Sequence, residues 1–366
     1  MTDDDTLGVM QLSDTLRPGG QERIALNLAN SLPRERFRSF LCTTRGEGAL
    51  AARVLPHVGR LLLARRSRYD LAALRRLVRH IREHRIRVLH AHGSSLFLAV
   101  LASHFKPSPA VIWHDQFGLQ EIEQRPVWLY RLAARRVAAV IACTEALARW
   151  WRSHLPLPPQ RIRYVPNFVI EARSVGTVPK LPGRRGARIV CVAHLRPQKD
   201  HLTLLQAMEI VVREVSSAHL ILVGSAVDPS HFERIQATMT RDALRGRVSW
   251  LGCLDDVPSL LLGCDIGVSS SGSEGMPLAL IEYGRAGLAV VATRVGQCAE
   301  VLDEGRAGRL VSPRSPQELA HALIALLRSP ACREDLGTRL SRHVRERYDA
   351  SRILEQICDL YDVALH

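Results

Sequence analysis

Residues 266–292 read IGVSSSGSEGMPLALIEYGRAGLAVVA. A short apolar run at 266–269 meets a Ser/Gly-rich loop, then a helical stretch, then a second apolar run at 289–292. That order, strand, loop, helix, strand, is the unit from which parallel sheets with covering helices are built. Two acids, Glu274 in the loop and Glu282 in the helical stretch, are separated by seven residues. Met276-Pro277 is expected to open the helix, since proline in a first turn needs no amide hydrogen and brings a preset φ. The backbone N–H groups of Gly275, Met276 and Leu278 then face whatever lies beyond the helix start, which makes an anion site. Carboxylates beside it accept hydrogen bonds from sugar hydroxyls. Phosphate together with polyol points to a nucleotide-sugar.

The same alternation extends outward in both directions. Apolar runs at 7–12, 37–43, 87–91, 110–114, 138–143 and 162–165 are read as strands of a first half. Runs at 188–193, 218–223, 247–251, 266–269, 289–292 and 309–311 are read as strands of a second. Amphipathic stretches at 21–30, 71–84, 202–214 and 316–327 carry helical spacing. The pattern pauses once, at 171–186, where Pro, Gly and basic residues replace apolar periodicity; this is read as a linker. The expected architecture is α/β: two doubly wound Rossmann-like domains, 1–170 and 187–349, facing across a cleft at the carboxyl ends of their strands. Segments 330–346 and 350–365 have no strand between them and are read as terminal helices.

At 366 residues the chain is too long for one ordinary core and suits two. No run approaches the ~20 apolar residues of a membrane span. The start, Met1-Thr2-Asp3-Asp4-Asp5, is acidic and unlike a signal peptide. Eight scattered cysteines without a CxxC pair are read as reduced thiols in the cytoplasm. The net charge is +14, and nearly all of it belongs to residues 1–170. Segment 60–87 is the richest in arginine, with Asp70 and Glu83 its only acids. Leu71, Leu74, Leu77, Val78 and Ile81 recur there at helical spacing, an apolar stripe expected to pack on the sheet. The arginines on the other face are either solvated or drawn to an anionic membrane surface. Nucleic acid is a poorer partner, because no aromatic stacking platform or recognised motif accompanies the charge.

Further candidates fall at strand-to-helix junctions. Cys191-Val192-Ala193-His194-Leu195-Arg196-Pro197-Gln198-Lys199-Asp200 ends a strand near Ala193 and opens a helix, with Asp200 placed as N-cap. Arg196 and Lys199 would then offer cations to a departing diphosphate. In the first half, Gly19-Gly20 follows the first strand and allows close backbone approach. This loop is not a G-x-G-x-x-G fingerprint, which argues against a dinucleotide. His90-Ala91-His92-Gly93 and His114-Asp115-Gln116-Phe117-Gly118 end two more strands. No helical His pair with an acid at ligand spacing is read, so no metal is expected. His114 is the better candidate for a substrate contact; His90 and His92 are either structural or substrate-orienting.

Together these motifs resemble retaining glycosyltransferases of family 4, which have the GT-B architecture, over nearly the whole chain. The resemblance rests on Gly19-Gly20-x-Glu22-Arg23, His90-x-His92, Val165-Pro166-Asn167, and His194 to Asp200. It rests most on Ser271-Gly272-Ser273-Glu274-Gly275-Met276-Pro277 to Glu282, then Ala286 to Thr293, Val295-Gly296, Glu300 and Gly308. It implies that Glu274 contacts the transferred sugar and Glu282 the ribose hydroxyls. Lys199 and the amides from Gly275 to Leu278, around Pro277, would hold the diphosphate. Gly19 and Gly20 would close over it from the other side, and His114 would sit near the sugar and acceptor. The loop after Gly252 would lie near the nucleobase. The C-terminal helix, 350–366, is expected to pack back toward the N-terminal domain. One departure stands out: the family commonly has arginine five residues before the lysine, and here that residue is His194.

The implied reaction is transfer of a sugar from a UDP- or GDP-linked donor to an acceptor hydroxyl with retention. No cofactor or metal is expected. Lys199, Arg196 and the helix start would stabilise the leaving diphosphate, and a donor phosphate oxygen would take the acceptor proton. No paired carboxylates of the glycosidase type are needed. A glycan or lipid-linked acceptor fits the basic first domain. The expected setting is bacterial surface polysaccharide or glycolipid assembly, in the cytoplasm with peripheral attachment to the inner face of the membrane. A sugar-nucleotide epimerase of the same architecture is the alternative, because fold alone does not decide function.

Overall fold

Runs of Val, Ile and Leu buried on both faces are the sequence mark of parallel strands covered by helices, and they form such strands here. The computed structural model describes residues 6–117, 126–170 and 178–365. The acidic start, Gly118 of the His114 motif and 171–177 of the linker lie outside the described residues. The chain divides into two units, Met1–Ile170 with Ala350–His366, and Glu171–Asp349.

Unit one contains β1 Leu7–Ser13, α1 Gly20–Ser31, β2 Phe37–Thr43, β3 Gly59–Leu62, α2 Leu71–Glu83, β4 Ile86–His92 and α3 Leu96–Ala102. Then come β5 Ala110–Asp115, α4 Val127–Ala134, β6 Val137–Ala142, α5 Glu145–His154 and β7 Ile162–Tyr164. Its sheet is parallel throughout, in the order β3-β2-β1-β4-β5-β6-β7. Unit two contains β8 Arg188–Val192, α6 His201–Glu214, β9 His219–Val223, α7 Pro229–Met239, β10 Val248–Trp250 and α8 Val257–Leu261. It continues with β11 Ile266–Ser269, α9 Leu278–Arg285, β12 Ala289–Thr293, α10 Cys298–Val301, β13 Arg309–Val311, α11 Pro316–Arg328 and α12 Pro330–Arg347. Its sheet is parallel in the order β10-β9-β8-β11-β12-β13. The last helix, α13 Ala350–Leu365, belongs to unit one.

Each sheet reverses its winding once, between β1 and β4 and between β8 and β11. Loops after these strands diverge to opposite faces and leave a crevice at the carboxyl edge, where ligands bind in open α/β sheets. The Gly19-Gly20 loop follows β1, the two histidines end β4, the Lys199 loop follows β8, and the Glu274 loop follows β11.

Helices α6 and α11 pack side by side on one face of the second sheet. Leu204, Leu205 and Met208 meet Leu319 and Leu323 over Ile189, Leu220 and Leu222, all fully buried. Each such side chain contributes about 1.5–3 kcal/mol by leaving water. The linker is tied to unit two from its far end. The Arg188 guanidinium donates to the carbonyls of Leu181, Pro182, Gly183 and Gly263, and Asp265 accepts from the backbone N–H groups of Gly186 and Arg188. Helix α13 buries Ile353, Ile357, Leu360 and Tyr361 against the first sheet, and Arg36 pairs with Asp362 at 2.7 Å.

Three local readings need correction. Strand β3 has no counterpart among the sequence-read strands. It is a four-residue edge strand with Arg60 and Leu62 facing water, too short and too mixed to read as an apolar run. The stripe on α2 buries Leu77, Val78 and Ile81, but Leu71 stands exposed on the first turn. Pro277 is the N-cap of α9, with ψ 104°, so the helix proper starts at Leu278 rather than at Met276-Pro277.

Candidate active site

The Lys199 loop and the Glu274 loop are stitched together at the carboxyl edge of β8 and β11. The Gly272 N–H donates to Gln198 O at 2.8 Å and the Ser270 hydroxyl to Lys199 O at 3.0 Å. Between these backbone clasps, Lys199 Nζ lies 2.5 Å from Glu274 Oε1, and the Ser271 hydroxyl donates to the same oxygen at 2.6 Å. The Glu274 side chain is 9% exposed and that of Lys199 25%, so the pair sits at the rim of the interior. Partial burial strengthens its attraction over that of a surface pair.

Asp200 turns the chain out of this loop. It adopts a left-handed conformation, φ 48°, and its carboxylate accepts from the Thr203 N–H and hydroxyl, capping α6 as read from the sequence. On the other side Gly296, at φ +51°, lies against the Glu274 loop. A Cβ there would stand 2.2 Å from Glu274 O and 2.6 Å from Gly275 O, so no larger residue fits without moving that backbone. Gln297 N–H donates to Gly275 O at 3.0 Å. The Thr293 hydroxyl donates to Ser271 O at 2.6 Å and completes the frame.

Helix α9 carries Glu282, 5% exposed, in its interior. The next residue, Tyr283, was not singled out in the sequence. Its ring packs on Gly267, where a Cβ would come within 2.5 Å of the ring. Its hydroxyl donates to Val268 O and accepts from the Val192 N–H at 2.7 Å. It thereby bridges the ends of β8 and β11 and fixes α9 on the sheet; no sequence signal marks this. Cys191 and Cys298 flank the ion pair. Burial pushes both thiols up to about 12, so neither supplies a thiolate at neutral pH.

The two cations read beside the diphosphate fare differently. Lys199 is engaged by Glu274, while Arg196 is exposed on the loop. His194, which stands where the family commonly has arginine, is bound to the protein through one ring nitrogen. Its Nδ1 accepts from the Ser225 N–H at 3.2 Å and lies 2.7 Å from the Ser225 hydroxyl, which commits that nitrogen to the protein.

Gly19, Gly20 and His114 belong to unit one. Gly19 caps α1 in extended conformation and Gly20 is its first residue. His114 ends β5 and is 1% exposed. Burial draws its pKa down to about 3, so it is neutral at physiological pH. Its Nδ1 lies 3.2 Å from His90 Nε2. His90 and His92 are also fully buried and their pKa values are lowered, first by desolvation and then by their histidine neighbours. Their rings stack at 4.7 Å. Among the described residues, two groups bring metal-ligating atoms close together: His90, His92 and His114, and, at the end of α2, His80, Glu83 and His84, a histidine pair with an acid at helical spacing that corrects the reading of none from the sequence. In the first group both nitrogens of His90 and of His92 are already taken by protein partners.

Comparison with known proteins identifies the family and the fold. A family model described as Glycosyltransferase Family 4 matches residues 18–173, and one described as Glycosyl transferases group 1 matches 186–329. The chain is 27% identical over 362 residues to a phosphatidyl-myo-inositol mannosyltransferase of Mycolicibacterium smegmatis, covering 97% of this chain and 88% of that one. It is 24% identical over 289 residues to the lipopolysaccharide core biosynthesis mannosyltransferase LpcC of Rhizobium leguminosarum bv. viciae, covering 77% of this chain and 79% of the relative. Among solved structures, Anabaena Alr3699/HepE in complex with UDP and glucose superposes with a TM-score of 0.81 at 19% identity, over 97% of this chain and 99% of that one. WaaG, described as a glycosyltransferase involved in lipopolysaccharide biosynthesis, superposes with 0.72 at 16% identity, over 96% and 99%. The fold is that of GT-B enzymes.

Proposed function

The chain belongs to the family 4, group 1 glycosyltransferases, and from that membership we propose that it moves a sugar from a nucleoside-diphosphate donor to a lipid-linked or glycan acceptor hydroxyl, with retention and without a metal. The observation that carries this reading is the Lys199–Glu274–Ser271 cluster beside the start of α9. A cation, a carboxylate and a helix N-terminus meet there at the switch point between β8 and β11. The cation and the helix start stabilise charge growing on the diphosphate. Glu274 orients the sugar by accepting from its hydroxyls, and Glu282 is assigned to the ribose. Gly275, Met276, Pro277 and Leu278 form the turn that presents the helix start. Arg196, exposed on its loop, closes on the diphosphate in place of the missing arginine. A donor phosphate oxygen accepts the acceptor proton on the face from which the leaving group departs. His114, Gly19 and Gly20 are the contribution of unit one.

Complexes of HepE with UDP and with UDP-glucose support a uridine donor. The mannosyltransferase relatives keep a guanosine donor in the panel. Relatives that act in glycolipid and lipopolysaccharide assembly support a lipid-linked acceptor. They are transferases, and the epimerase alternative finds no support among them. Among the described residues no helix is long and apolar enough to cross a membrane. The arginine face of α2 supports contact with anionic headgroups instead.

The decisive experiment incubates the protein, with excess EDTA, with UDP- and GDP-linked sugars in the presence and absence of a lipid-linked acceptor. Acceptor-dependent release of nucleoside diphosphate, and an anomeric configuration unchanged by NMR, is the expected result. Interconversion of nucleotide-sugars without acceptor, an inverted product, or turnover abolished by the chelator would each overturn the corresponding part.

A further inference from the structure

The buried polar chain behind His114 has a direction. The Gln11 carboxamide offers its oxygen to His92 Nε2 at 2.9 Å and its nitrogen to the Tyr361 hydroxyl oxygen at 3.1 Å. The hydroxyl proton of Tyr361 then points to His90 Nδ1 at 2.7 Å. A neutral His90 that accepts at Nδ1 carries its proton on Nε2, which faces His114 Nδ1 at 3.2 Å. His114 Nδ1 therefore accepts, and its proton resides on Nε2. That atom is buried and has no partner among the described residues. His92 fits the same direction, with Nε2–H donating to Gln11 and Nδ1 accepting from the Gln116 amide at 3.2 Å. Reversing the chain requires the amides of Gln11 and Gln116 to turn over together with all three imidazole tautomers.

We infer that Tyr361, acting through His90, is a positioning residue that fixes His114 as the Nε2–H tautomer and so presents it as a hydrogen-bond donor at the carboxyl end of β5. Donation from Nε2 suits a sugar or acceptor oxygen gaining negative character; a lone pair there would repel it. This rests on the reading of His114 as a substrate contact. Burial supports the assignment, because it holds all three imidazoles neutral and the Tyr361 phenol protonated. Tyr361 is itself held in place: it is fully buried and its ring lies edge-on to Phe37 at 5.7 Å. A cation held by the same three histidines would have to break one protein contact at His90 and another at His92.

The test is a long-range proton–nitrogen NMR correlation on the full chain labelled with 15N-histidine, paired with kinetics of Tyr361→Phe. The expected spectrum of the unmodified protein shows His114 protonated on Nε2. Tyr361→Phe should mix the two tautomers of His114 and lower kcat about tenfold, leaving the donor KM within about twofold. His114 protonated on Nδ1 in the unmodified protein would overturn the inference, whatever the variant does. So would a Tyr361→Phe spectrum with the tautomer unchanged. A shifted tautomer with unaltered kcat would sever the link to turnover. Failure of the underlying reading looks different: His114→Ala would keep full activity while the unmodified spectrum still showed Nε2–H. If Tyr361→Phe does not fold, the spectrum of the unmodified protein alone decides.

Discussion

Lys199 Nζ and Glu274 Oε1 stand 2.5 Å apart although 75 residues separate them in the chain. The loops that bring them together are also fastened to each other by the Gly272 N–H, which donates to Gln198 O, and by the Ser270 hydroxyl, which donates to Lys199 O. In the proposed reaction a donor phosphate would draw the lysine away from one carboxylate oxygen, which the Ser271 hydroxyl also holds.

Lys199→Ala should lower kcat/KM by about 100- to 1000-fold, the usual cost of removing one preorganised charge-stabilising group. Ser271→Ala removes one of two partners from Glu274 Oε1 and should cost about 3- to 10-fold, the worth of one ordinary hydrogen bond. Steady-state kinetics with saturating acceptor measures both. Turnover that survived Lys199→Ala intact would remove this lysine from the mechanism.

Gly296→Ala is expected to damage the site without touching a side chain that contacts substrate. The added methyl would press on the backbone oxygens of Glu274 and Gly275 and would have to adopt a positive φ. Strain of this kind costs about 1–3 kcal/mol. The variant should fold, melt lower and lose most of its donor affinity, as read by calorimetric titration with the nucleoside diphosphate. Unchanged affinity would show that the Glu274 turn tolerates displacement.

Stability should fall as the solution is acidified through the histidine range. Histidine in the unfolded chain titrates near 6.5. Folded His114 resists protonation until about 3, and His90 and His92 are also shifted down. Below pH 6.5 the unfolded state thus binds protons that the native state refuses, and the unfolding free energy drops by about 1.4 kcal/mol per pH unit for each such group. Urea midpoints at pH 7.5 and pH 5.5 measure the slope. In His114→Gln it should be shallower by one histidine's share. An equal slope in both proteins would show that native His114 takes up its proton as readily as the unfolded chain does.

Membrane contact through α2 predicts a salt-sensitive, charge-dependent affinity. Arg75 and Arg79 are exposed on this helix. Replacing both by glutamate should weaken binding to vesicles rich in anionic phospholipid by about 1 kcal/mol or more per residue, while soluble-acceptor turnover stays constant. Sedimentation with vesicles at low and physiological salt gives the readout. Binding that ignores both the substitutions and the salt would place the membrane surface elsewhere.

Most of the fold was legible because parallel strands covered on both sides are written as uninterrupted Val/Ile/Leu runs. Strands β1, β2, β5, β8 and β11 begin on the residue expected, or end within one or two of it. Strand β3 was not legible, because an edge strand carrying Arg60 on its open side has no apolar run to show. Lys199 and Glu274 were recognisable from their loops, but their direct contact was not, since nothing local links two loops on neighbouring strands. Tyr283 and Tyr361 were missed for a related reason. A tyrosine on an apolar helix face looks like any core aromatic until the structure shows what its hydroxyl touches. The residues around His90 and His92 do not separate a structural from a substrate-orienting role, and the structure gives both nitrogens of each a protein partner.

Helix α13 has a consequence for how the molecule comes into being. Unit one is built from residues early in the chain and again from its last helix, so translation supplies its final piece only after unit two has emerged. Until then His90 has no phenol beside it, and Phe37 faces an open groove. A chain truncated at residue 349 would carry every strand of both sheets but leave the first one uncovered where α13 packs, and it should be rescued by supplying 350–366 as a separate peptide.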